Sequence, residues 1–199
     1  MIVIGLTGSI GMGKSTAAKA FKALGAEVWS ADDAVHRLYA EGGAGVAALR
    51  SVFPEAIVDG AVDRTVLARI VLSDREKLKT LEDIVHPLVG ADRRDFLTAA
   101  AHKSAPAVVL DIPLLFENAG DEGFDAIVVV SAPAAVQRER VLARPGMSAE
   151  KLAAILAEQM PDEEKRAHAD YVIETDQPIE ETAKKIAAVY EEIIAAKRP

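Results

Sequence analysis

Short apolar runs recur along the chain, separated by stretches in which apolar residues return every three or four positions. Ile2 to Thr7, Ala26 to Ser30, Ala107 to Ile112, Ala126 to Val130 and Tyr171 to Glu174 read as buried parallel strands. Lys14 to Leu24 places Ala17, Ala18, Phe21 and Leu24 on one helical face, and Gly25 supplies a stop. Pro133 to Arg144 and Pro178 to Ala196 each open with a proline suited to a first helical turn. Strands alternating with helices predict an α/β fold: a central parallel sheet flanked by helices on both faces.

Two intervals break that rhythm. Residues 31–106 carry helix-like pieces without a convincing strand. Asp63 and Asp74 are candidate N-caps there, and Pro87 is placed to open a further helix. The interval is much longer than an ordinary crossover, so it reads as a helical insertion beside the sheet. The competing reading is an elaborated crossover with no binding role. Residues 138–166 are charged, contain Pro145-Gly146 and Pro161, and read as a hinged helical flap. The expected organisation is a single domain with its core at about 1–30, 107–137 and 167–199, a helical substrate region at 31–106 and a lid at 138–166.

A chain of 199 residues, half of them hydrophobic, can bury one sizeable core. The net charge of −8 gives a field that repels nucleic acid and anionic membrane, so neither is an expected partner. Positive charge for an anionic substrate must then be concentrated locally. There is no cysteine, which excludes a thiolate nucleophile and Cys-ligated metal. The apolar start lacks the basic flank of a leader, and no apolar run approaches the roughly 20 residues of a membrane span. The expected compartment is the cytoplasm.

The strongest chemical signal follows the first strand. Gly8-Ser9-Ile10-Gly11-Met12-Gly13-Lys14-Ser15 fits G-x-x-x-x-G-K-[ST], with Thr16 next. Glycines let the backbone bring N–H groups up to phosphate oxygens, and the helix N-terminus adds partial positive charge. Lys14, read as an exposed side chain, can reach the β- and γ-phosphates of ATP, and the Ser15 hydroxyl can ligate Mg²⁺. The plain alternative, a mere glycine-rich turn, leaves the strand, spacing and helix unexplained. No Asn-Lys-x-Asp guanine-reading element is present. A short P-loop chain with a helical insertion and an arginine-bearing flap suggests a small-metabolite kinase that closes to exclude water.

Asp111-Ile112-Pro113-Leu114-Leu115-Phe116-Glu117 resembles the Asp-x-Pro-Leu-Leu-Phe-Glu element of dephospho-CoA kinases. The resemblance extends over nearly the whole chain. It takes in Thr7 to Thr16, Ser30-Ala31-Asp32, Ile84 to Val89, Gln137, Arg140, Arg144, Gln159 and Ala169 to Ile173. Three positions depart from the family pattern: Ser30 stands where an aspartate is common, Ile155 where an arginine is, and Thr175 where an asparagine is. The resemblance implies a nucleoside-monophosphate-kinase-like fold and ATP-dependent phosphorylation of dephospho-CoA at its ribose 3′-hydroxyl, with magnesium. Rival readings are another metabolite kinase and a nucleotide-binding regulatory module.

The resemblance also implies roles. Gly8, Gly11, Met12, Gly13, Lys14, Ser15, Thr16 and Arg144 are expected to bind ATP; Lys14, Asp32 and Arg140 to be catalytic; Asp32, His86, Leu115 and Glu117 to meet dephospho-CoA. Asp32, just past a strand, would accept the hydroxyl proton, or else it caps the helix containing Val35 and Leu38, with Asp33 competing for either job. Asp111 ends a buried strand and is read as facing the Ser15–Mg²⁺ site, directly or through water. Glu117 is either a substrate contact or a solvated helix-start glutamate, and His86 either a substrate contact or a cap. Arg93 and Arg94 either hold phosphates or are solvated. Arg140 and Arg144, four apart, can share one helix face and grip phosphate, the alternative being intrahelical pairing.

Overall fold

The computed structural model describes residues 1–119 and 123–196. The chain forms two compact units, one from Met1–Trp29 with the chain from Ala100 onward, the other from Ser30–Ala99.

The first unit holds a five-stranded sheet of β1 (Ile2–Thr7), β2 (Glu27–Ser30), β5 (Ala107–Asp111), β6 (Ala126–Ser131) and β7 (Tyr171–Glu174), ordered β2-β5-β1-β6-β7. β1 pairs in parallel with β5 and β6, and β6 with β7. Every residue of β5 and β6 is buried, which is why both read as unbroken apolar runs. Their side chains alternate between faces. Val128 and Val130 join Ile4, Leu6, Phe21 and Ile186 in the main core, where α1 (Lys14–Ala23) and α9 (Ile179–Ala196) pack. Phe21 of α1 meets Tyr190 of α9 edge-on, with ring centroids 6.0 Å apart. Ile127 and Val129 pack with Leu115, Phe116 and Phe124 in a separate cluster. α6 (Ala134–Leu142), α7 (Ala149–Ala157) and α8 (Asp162–Ala167) lie between β6 and β7 in sequence. Because α6 ends at Leu142, Arg144 lies beyond the helix, which corrects the expectation of one helical face shared with Arg140.

In the second unit, α2 (Ala31–Tyr39) and α3 (Ala44–Arg50) precede a 3₁₀ turn at Pro54–Ala56. A small antiparallel hairpin of β3 (Ile57–Val58) and β4 (Ala61–Val62) follows, where no strand was expected. Asp59 and Gly60 both have positive φ, the geometry of a two-residue hairpin turn matching strand twist. Strands of two residues carry too little alternation to be seen in a sequence. Asp63 caps α4 (Arg64–Val71), accepting from the Thr65 and Val66 N–H groups, and Asp74 accepts from Glu76 and Lys77 at the start of α5 (Arg75–His102).

Pro87 does not open a helix. It lies inside α5, although an interior proline costs about 3 kcal/mol in lost hydrogen bonding and carbonyl clash. The apolar stripe explains its tolerance. Leu78, Leu81, Ile84, Val85, Leu88 and Val89 continue at helical spacing through the proline and all pack into this unit's core. Burial of that stripe outweighs the local penalty. Among the described residues no helix is long and apolar enough to cross a membrane.

Candidate active site

β1 and β5 are neighbours, with Leu6 opposite Asp111 in register, so the turn after β1 starts beside the carboxyl end of β5. In an open α/β sheet, that edge is where ligands bind. Gly11 and Gly13 adopt positive φ, and a side chain would be blocked at Gly11 and tightly confined at Gly13. A Cβ on Gly11 would meet the Val141 side chain at 2.6 Å, and one on Gly13 would meet Thr175 at 3.2 Å. The turn is therefore backed closely by α6 and by the residue after β7. α1 then begins at Lys14, with Ser15 and Thr16 exposed in its first turn.

Lys14 does not project freely into solvent. Its ammonium makes an ion pair with Asp111, and the two side chains are only 14% and 9% exposed. The expectation of an exposed lysine is corrected: the sheet register brings a carboxylate to it. Asp111 thus faces the P-loop, as a carboxylate ending a buried strand must meet a cation or strong donors. The Met12 side chain is buried, and its sulfur accepts the Ala132 N–H at 3.0 Å.

Arg140 makes no intrahelical ion pair among the described residues. It donates to the Thr175 carbonyl at 2.5 Å, to Thr175 Oγ1 at 3.0 Å and to the Gly11 carbonyl at 3.4 Å. Thr175 Oγ1 in turn donates to the Met12 carbonyl at 2.9 Å. Arg144 is exposed. Beside Met12 lies a cavity of about 430 Å³ whose walls carry Asp162, Glu163, Glu174 and Asp176 against the single guanidinium of Arg166. That acidic lining is unsuited to a triphosphate.

Glu117 stands in the first turn of a helical segment, as one reading expected, but it is ion-paired and largely sheltered rather than solvated. It lies in a short π-helical segment, Leu115–Ala119, and pairs at 2.8 Å with Lys165 of α8, whose side chain is fully buried. It also accepts the Met160 N–H at 2.8 Å. Leu115, two residues before, is fully buried in the cluster around Ile127. Nothing in the sequence marked Lys165, which sits among Glu163, Glu164 and Arg166 and reads as solvated. Removing one partner of a buried pair strands the other charge. Glu117→Leu should therefore destabilise the protein by about 3–5 kcal/mol in urea titrations at neutral pH, and Lys165→Met by less, because Glu117 keeps some water.

The same pair predicts a pH effect. Burial pushes the Glu117 carboxyl up, but the Lys165 hydrogen bond, the Met160 N–H and the lysine charge outweigh it and hold the group below its ordinary value of 4.5. The unfolded chain then binds the proton more readily, so this contribution is complete above about pH 4.5 and is lost as pH falls through the lower folded value. The stability gap between wild type and Glu117→Gln should hold constant from pH 6 to about pH 5 and narrow as pH falls below about 4.5.

Asp32, Asp33, His86, Arg93 and Arg94 belong to the second unit. Ser30 is the N-cap of α2, its hydroxyl accepting the Asp33 N–H at 3.2 Å. Asp32 is consequently not the cap; it is an exposed carboxylate in the first helical turn. His86 is exposed in mid-helix and caps nothing.

The family model for dephospho-CoA kinase matches residues 2–181. The chain belongs to the dephospho-CoA kinase family. A dephospho-CoA kinase of Mesorhizobium japonicum is 55% identical over 197 residues, covering 97% of each chain. The crystal structure of a Thermus thermophilus protein superposes with a TM-score of 0.81 at 40% identity, covering 96% of this chain and 97% of that one. Dephospho-CoA kinase from Campylobacter jejuni superposes with a TM-score of 0.66 at 27% identity, covering 96% of each. The parallel sheet, the P-loop and this membership make the chain a kinase of the P-loop class.

Proposed function

We propose that the chain transfers the γ-phosphoryl group of ATP to the ribose 3′-hydroxyl of dephospho-CoA, giving coenzyme A and ADP. The observation that carries this reading is the pairing of an intact P-loop, its Lys14 already drawn to Asp111, with family membership over nearly the whole chain. In the proposed reaction Asp32 accepts the hydroxyl proton, the oxygen bonds to the γ-phosphorus, and the bond to the β-bridging oxygen breaks to release ADP. Lys14 and the backbone N–H groups from Gly8 to Thr16 stabilise charge on the phosphates. The lysine leaves Asp111 for the stronger negative charge of the triphosphate.

Magnesium fits the donor set. Ser15 offers a hydroxyl at the start of α1 and Asp111 a carboxylate at the end of β5, both hard oxygens. No group of three or more His, Asp or Glu side chains among the described residues is arranged to hold a metal. The protein then supplies part of a shell that phosphate oxygens and water complete, the usual arrangement for this ion. When bound, magnesium neutralises phosphate charge. Ser15 and Asp111 would hold it, and Asp111 would orient its water.

Residues 31–106 are proposed to receive dephospho-CoA, with His86 a contact, and residues 138–166 to form the lid that excludes water, with Arg144 reaching phosphate from the turn after α6. Arg140 would act from its place against Thr175. Glu117 and Leu115, both engaged within the protein, are proposed to shape the wall of the acceptor site. The cytoplasm, where ATP is supplied, is the fitting compartment.

The test is acceptor selectivity. ADP release by the purified protein should rise far more with dephospho-CoA than with AMP, shikimate or gluconate. A higher kcat/KM for any of the other three would overturn the substrate while leaving the kinase class intact.

A further inference from the structure

Ile10, near the middle of the glycine-rich turn, has both ends of its amide backbone held by side chains. Its carbonyl accepts from Gln137 Nε2 at 2.8 Å, and its N–H donates to Gln159 Oε1 at 3.1 Å. Gln137 is on α6 and only 6% exposed, and Gln159 lies between α7 and α8. These contacts join residues 127 and 149 positions apart in the chain.

Their effect follows from peptide geometry. In a trans peptide the carbonyl and the next N–H point in opposite directions, and no peptide bond among the described residues is cis. Holding the Ile10 carbonyl toward α6 turns the Gly11 N–H away from α6. Holding the Met12 carbonyl toward Thr175 likewise turns the Gly13 N–H away from Thr175. Neither glycine N–H has a hydrogen-bond partner among the described residues. Glycine alone resists rotation of these units weakly. The flanking side chains supply the orientation together with the Met12 N–H, which donates to the Ser9 carbonyl at 3.1 Å across the turn.

We propose that Gln137 and Gln159 are positioning residues of the phosphate cradle, Gln137 as a donor to the Ile10 carbonyl and Gln159 as an acceptor from the Ile10 N–H. Neither touches the nucleotide; each acts through the Ile10 backbone, and the loss of either lets the cradle lose its aim. Gln159 shares its loop with Met160, whose N–H is held by Glu117, so the position of Gln159 is itself anchored to the segment after β5.

The two glutamines have opposite hydrogen-bonding polarity, and that gives a diagnostic test. Glutamate keeps the acceptor needed at 159 but at 137 sets a carboxylate against a carbonyl. Gln137→Leu, Gln137→Glu, Gln159→Leu and Gln159→Glu should be compared by kcat and by KM for ATP and for dephospho-CoA, with thermal unfolding as the check on folding. At 159 the glutamate variant should outperform leucine; at 137 leucine should outperform glutamate. Each lost hydrogen bond should lower kcat/KM for ATP by about tenfold, while KM for dephospho-CoA moves by less than about twofold. The same order at both positions, or an unchanged KM for ATP in both leucine variants, would overturn the proposal. Should Gln137→Glu fail to fold, the order of the two Gln159 variants decides, with Gln137→Leu still required to raise KM for ATP. The inference rests on the P-loop holding the triphosphate, which Lys14→Ala tests separately.

Discussion

Lys14→Ala should leave a folded protein that transfers almost no phosphoryl group from ATP. Lys14 opens the P-loop helix, and it lies against Asp111 with 14% of its side chain exposed. A preorganised charge of this kind is worth far more in a sheltered site than in water, so kcat should fall by at least about 10²–10³-fold. The substitution also takes a charged partner from the Asp111 carboxylate, and some stability should go with it. The double variant Lys14→Ala with Asp111→Asn removes both charges and should recover stability without activity. Calorimetric unfolding and ADP release on the three proteins separate the two effects. Full activity in purified Lys14→Ala would overturn the assignment of the P-loop as the triphosphate site.

Asp32→Asn should lower turnover by roughly 10²–10⁴-fold, the range of general acid–base catalysis, with substrate affinities changed much less. The structure sharpens this test. The helix cap is Ser30, so Asp32 has no capping duty whose loss could mimic a catalytic defect. Asp33→Asn is the control, since its carboxylate leaves the same turn at a neighbouring position. Calorimetric binding and ADP release should be measured for both variants. A crippled Asp33→Asn beside an active Asp32→Asn would move the base by one residue. Two active variants would mean that the site positions the hydroxyl and uses no carboxylate base from this turn.

Features whose causes lie within a few residues of one another were legible in the chain. The P-loop is one: the strand, the glycines and the helix start at Lys14 occupy one contiguous stretch. The caps at Asp63 and Asp74 are others, since a side chain bonding an N–H two or three residues on needs no distant partner. β5 and β6 were legible because burial on both faces leaves an unbroken apolar run. Local rules misled where a distant core outvoted them. Pro87 carries a helix-start signal, yet the stripe from Leu78 to Val89 holds the helix through it.

By itself, then, the sequence determined the α/β class, the phosphate-binding turn and, through the Pro113 to Glu117 run, the family. Only the tertiary structure decided what those residues touch. Lys165, in an acidic surface-like stretch, is buried because Glu117 waits 48 positions earlier in the chain to neutralise it. Lys14 meets Asp111 because β1 and β5 are neighbours in the sheet, which periodicity does not specify. Ile10 is gripped by two glutamines whose types carry no signal of a partner, since an amide can donate or accept and pairs with whatever polar group folding brings to it. Propensity and motif act along the chain. Charge pairing and hydrogen bonding act through space, and their partners exist only once the sheet order is set.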